Sequence, residues 1–185
     1  MCGSRNDSVC AYSGGQKQSS IVIASFADQE GGDTVARGLE RGYLQIPGWL
    51  LLVYLVYAQA IPAFDYELGV RMGTQESAQT ITEVGAAFWY GFAFSDLVIY
   101  IPLLGAGLIG QLLARPWWRV IFGAALGITI YWPVVVLAAA VDARDASGWN
   151  IDDTAYWIVL PIIAAWALCG LVLLGITASD KRTKE

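Results

Sequence analysis

Asp96 is the residue whose surroundings most demand a chemical explanation. It lies within an apolar run, GAAFWYGFAFSDLVIYIPLLGAGLIGQLLA, that extends from Gly85 to Ala114. A carboxyl in hydrocarbon is disfavoured by about 2.5–3.5 kcal/mol on insertion scales, so such acids pair, face a cavity or handle protons. At helical spacing Asp96 shares a face with Trp89, Phe92, Tyr100 and Leu103. Centring each apolar run on a common plane brings Tyr54 and Tyr57 of the first run to similar depth, with Thr129 and Tyr131 of the third. Asp96, Tyr54, Tyr57, Tyr100, Thr129 and Tyr131 are therefore the candidate ligand-binding set, with Gln59 a little above. Two roles fit them. Asp96 is either a polar staple that keeps the helices in register, a contact worth about 0.6–2 kcal/mol in membranes, or the protonatable group of an aromatic-lined site for a cationic or hydrogen-bonding ligand.

Other chemistry is poorly supplied. The chain has no histidine, which argues against His-ligated haem, most zinc and non-haem iron sites, and His-based general base catalysis. Cys2, Cys10 and Cys169 form no C-x-x-C, and Cys169, in an apolar stretch, is expected to be a small packing residue. There is no G-x-S-x-G, and Ser95 beside Asp96 has no histidine or intramembrane lysine to activate it. GAGLIG (Gly105–Gly110) lies inside an apolar run with no strand before it, so it reads as a packing surface rather than a phosphate cradle. Asp142, Asp145, Asp152 and Asp153 lack the EF-hand pattern. They are expected to be solvated acids, with a weak divalent-cation site as the alternative. No enzyme activity, cofactor or metal centre is expected.

The elements that position these residues follow from composition. The 185 residues are 56% hydrophobic and only 15% charged, where a soluble domain carries about 25% charged residues. Crossing about 30 Å of hydrocarbon takes about 20 helical residues. Four runs qualify, at 43–64, 85–114, 120–141 and 154–178. The expected fold is all-α: an integral membrane four-helix bundle over 43–179, after a polar, disordered tail (1–42) and before a basic C-terminus (180–185). Lys17, IVIASFA and Asp28 fall short of a cleavable leader, and DTVARGLERG suits a short interfacial helix. The polar loop 65–83 has room for a surface helix in SAQTITEV. ARPWWR, with Trp117 and Trp118 beside Arg115 and Arg119, reads as a headgroup-level turn. Gly123 and Gly127 make a GxxxG spacing, and Ala106 with Gly110 makes a second small pair, both suited to close helix packing.

Placing both termini in the cytoplasm puts nine of the eleven basic residues on that side, leaving only Arg71 and Arg144 outside. That satisfies the positive-inside rule. A bacterial inner membrane suits the short loops and the composition. No basic stripe marks a nucleic-acid surface. The partners expected are membrane lipid and either a homo-oligomer or a larger membrane complex. The leading functional expectation is a non-enzymatic accessory subunit or small oligomeric module. The alternative is a ligand-binding or proton-linked transport protein that uses Asp96. The topology has a direct test in a background lacking the native cysteines. On intact cells an impermeant maleimide labels Thr74→Cys and leaves Trp117→Cys unlabelled until the membrane is opened. The reverse pattern inverts the topology.

Overall fold

Four apolar segments, each long enough to cross hydrocarbon, dictate the architecture. The computed structural model describes residue 38 and residues 41–183, with side chains as far as residue 177. In it α1 is Arg41–Phe64, α2 is the short Tyr66–Arg71, α3 is Ala78–Leu112, α4 is Trp118–Ala143 and α5 is Thr154–Thr183. The shortest span has 24 residues, about 36 Å at 1.5 Å per residue, which exceeds the hydrocarbon thickness. Among the described residues there is no strand. The expectations of a disordered tail over 1–37 and 39–40, of most of the DTVARGLERG helix, and for 184–185 lie outside the described residues.

Within an apolar 18-residue stretch of each span, only 22–33% of the residues are buried in the bundle. Ile46, Leu50, Val84, Val120 and Ile162 are among the many large apolar side chains left on the surface. A continuous greasy belt of that size is unstable in water and is at home in lipid. The chain is an integral membrane four-helix bundle.

Two spans carry a widened turn ahead of a proline. The turns Val56–Ala60 in α1 and Asp96–Tyr100 in α3 are π-helical, and Pro62 and Pro102 follow them. Proline has no N–H to donate, and its ring crowds the carbonyl four residues back, so the helix opens at that point. In α-helical register the carbonyl opposite Pro62 is that of Ala58, and Gln75 Nε2 donates to it at 2.8 Å. The two π turns pack against each other.

α3 is longer than the expected 85–114 because it begins with a lead-in turn. Thr82 has φ 70° and ψ 164°, which breaks the helix there, and its hydroxyl accepts a hydrogen bond from Gly85 N at 3.3 Å to start the membrane segment. The SAQTITEV surface helix and the following span are thus one element bent at Thr82. Asn150 N donates to Thr80 O at 2.8 Å, and a Cβ on Gly148 would lie 2.9 Å from Thr82 Cγ2. The two acidic loops are clasped together by these contacts.

The spans close a ring in which α1 meets α3 and α5, and α4 lies between α3 and α5. The apolar core comprises Leu44 and Leu55 of α1, Tyr100, Leu104 and Leu108 of α3, Phe122, Ala125 and Leu126 of α4, and Ala167 and Leu174 of α5. These residues fill the half of the bundle nearest the ARPWWR turn.

Close helix approach occurs elsewhere than at the expected GxxxG. Gly107 faces Phe122, whose Cα would lie 2.8 Å from an added Cβ, and Gly110 abuts the Trp117 ring and Trp118 Cβ. Gly110 thus takes the close contact, but its partner glycine is Gly107 and not Ala106, because Leu104, Gly107, Leu108 and Gly110 share the buried face of α3. Gly123 has only Leu171 Cδ2 of α5 at 3.8 Å, and Gly127 has nothing within 4 Å; their flank of α4 is half-buried and makes no close helix approach. Cys169 is exposed on the bundle surface rather than packed inside it. Gly107→Ala is expected to lower stability in detergent by about 1–3 kcal/mol through overpacking against backbone. Gly127→Ala should leave the thermal midpoint unchanged or raised, as read by thermal unfolding of the two variants side by side.

Candidate functional site

With the apolar core drawn toward one end, the half of the bundle under the acidic loops is left open. It holds a cavity of about 430 Å³. Tyr54 and Tyr57 of α1, Trp89 and Phe92 of α3, Trp132 and Val136 of α4, and Tyr156 and Leu160 of α5 form its walls. Residues 72–76 and Asp152 complete it at the acidic end.

The segment over the cavity is held by hydrogen bonds. Thr74 Oγ1 donates to Gly69 O at 3.2 Å, next to Gly73, whose φ of +71° lets the chain turn sharply. Gln75 Nε2 reaches Ala58 O at 2.8 Å and Gln59 Oε1 at 3.4 Å. Tyr66 OH donates to Glu76 O at 2.9 Å, and Tyr156 OH donates to Glu76 Oε1 at 3.4 Å. Glu76 is therefore the carboxylate set into the wall, oriented from two elements.

The charges around this end are shaped locally. Burial, and then the carboxylates of Glu76 and Glu67, push the Tyr66 phenol up to about 12. Hydrogen bonds from Thr154, side chain first and then backbone, hold the Asp152 carboxyl below the usual range. Asp153 Oδ2 accepts from Trp157 Nε1 at 3.0 Å and pairs with Arg144 at 3.5 Å. The loop aspartates nearest α5 thus start that helix. Among the described residues no three His, Cys, Asp or Glu side chains converge as a metal site.

The candidate set from the sequence is divided among three places. Tyr54 and Tyr57 line the cavity. Tyr100 and Thr129 meet in the core, with their oxygens 2.5 Å apart. Thr129 Oγ1 donates to Ala125 O at 2.8 Å, so its single proton is committed and Tyr100 must be the donor of the pair. Tyr131 is 65% exposed and points out of the bundle. Asp96 is buried, one helical turn from Phe92, does not line the cavity, and leaves Oδ2 with no hydrogen-bond partner. A single layer of a carboxyl among phenols is therefore not assembled. Equal depth does not place side chains on facing sides of neighbouring helices.

Sequence reasoning passed over two features. Glu76, Trp89, Trp132 and Tyr156 share the cavity although they come from a loop and three helices, and no spacing in the sequence links them. The other feature is a buried amide pair near the opposite end. Gln45 Nε2 donates to Gln111 Oε1 at 2.7 Å and to Leu108 O at 3.0 Å, and Trp49 Nε1 donates to Gln45 Oε1 at 2.6 Å. Its signal was available, since a glutamine inside an apolar run must find a partner.

Fold and cavity together define a polytopic helical membrane protein with an aromatic-walled chamber under one set of loops. No family, no curated protein and no solved structure shows a significant similarity to the chain.

The Tyr66 environment yields a signed pH prediction. Its phenol has a higher pKa folded than the ordinary 10, so folding favours the neutral form. That contribution is complete below pH 10 and is lost as the pH rises toward 12. The 295 nm difference titration between wild type and Tyr66→Phe should therefore have its midpoint near 12 rather than 10, and the variant should lose less stability across that interval.

Proposed function

We propose that this chain is a non-enzymatic membrane protein that binds a small molecule in the cavity beneath its acidic loops. The observation that supports this reading is the cavity itself, about 430 Å³, within the usual range of about 300–1,000 Å³ for ligand sites and walled by rings with a few placed polar groups. Glu76, Gln59 and Gln75 are those polar groups. With both termini in the cytoplasm of a bacterial inner membrane, the charge distribution favours a cavity that opens outward. Asp96, buried with Oδ2 unpartnered, then lies in the bundle below the chamber and is not the group that meets ligand.

A second reading, as an accessory subunit or small homo-oligomer, is favoured by the open space beside Gly127 on α4. Small residues on an open face allow another helix to approach closely.

Native mass spectrometry of the detergent-extracted protein addresses both. The expected spectrum carries a small-molecule adduct that disappears in Ala155→Trp, a change that puts an indole into the cavity from an exposed position at the start of α5. Asp96→Asn should keep the adduct. Its loss in that variant would instead favour the proton-linked alternative, and masses of two or more chains would favour the oligomer.

A further inference from the structure

We infer that the cavity selects an organic cation, one with an ammonium-type head and an apolar body; this rests on the binding reading above. The first observation is the charge inventory of the wall. Glu76 and Asp152 line the cavity, and among the described residues no lysine or arginine does. Glu76 accepts from Tyr156 OH at 3.4 Å, which leaves its carboxylate with further acceptor positions for a cationic head.

The second observation is the rings. Tyr54, Tyr57, Trp89, Phe92, Trp132 and Tyr156 come from all four spans and enclose one space. Aromatic faces attract cations, indole most strongly, and the attraction grows as water is excluded. A carboxylate beside such rings discriminates by charge, whereas the rings alone would accept any apolar guest.

The third is the approach. The loops over the cavity carry Asp65, Glu67, Glu76, Glu83, Asp142, Asp145, Asp152 and Asp153 against Arg71 and Arg144, and Arg144 is paired with Asp153. A surface of one dominant sign concentrates ions of the opposite sign at a cleft. Bare inorganic cations fit poorly. Among the described residues no group of three possible metal-ligating side chains converges, and a largely aromatic wall cannot replace a hydration shell.

The test uses two probes of nearly equal shape, acetylcholine and its uncharged carbon isostere 3,3-dimethylbutyl acetate, titrated calorimetrically into the detergent-solubilised full-length protein. The cation is expected to bind at least about ten-fold tighter than the isostere. Glu76→Gln should remove most of that preference, read as the ratio of the two affinities in the variant against the same ratio in the wild type. Raising the salt concentration on the wild-type protein should weaken the cation alone, a comparison that does not depend on the variant folding. Equal affinity for both probes, or a preference untouched by Glu76→Gln and by salt, would overturn the cation assignment and leave the binding reading standing. Binding of neither probe at millimolar concentration would overturn both.

Discussion

Inside hydrocarbon a backbone carbonyl has no water to turn to, and each break in a helical hydrogen-bond ladder must be repaired by the protein itself. Pro62 has no N–H to give the carbonyl four residues back, Ala58 O, and Gln75 in the following loop donates to that oxygen. That one bond ties the segment over the cavity to α1. The π turn ahead of the proline widens α1 where Tyr57, Ala58 and Gln59 border the chamber. A constraint on the backbone thus shapes the wall of the site.

The bundle divides its labour along the membrane normal. Toward the ARPWWR turn, Gly107 and Gly110 let α3 and α4 close tightly, and leucines with Phe122 fill the space between. The Gln45–Gln111 bond and the reciprocal bonds of Tyr43 and Trp166, at 3.3 and 3.0 Å, add polar ties at this end. Toward the acidic loops, rings from all four spans line the space left between the helices. A chamber under charged loops is what a binding protein requires.

Reading depth from the sequence found part of this arrangement. Tyr54 and Tyr57 do border the chamber, and Tyr100 and Thr129 do meet. Asp96 drew attention because an acid in lipid is rare, yet the acids at the wall are Glu76 and Asp152, in polar loops where carboxylates are unremarkable. The GxxxG at Gly123 and Gly127 matched a packing motif but takes no close helix contact, because a spacing of four only says that two glycines share a flank, not what that flank meets.

The sequence by itself determined the solvent, the number of spans, their approximate limits and which of the connecting segments are acidic. Those properties are sums over long runs, in which transfer energies of some twenty residues outweigh any local preference. Tertiary structure alone decided which faces meet, where α3 bends, how Gln75 reaches Ala58 and which rings enclose a space. Each of those depends on the rotation of one helix about its axis against its neighbours. A turn of about 100° between consecutive residues makes that rotation invisible to any count of composition or depth.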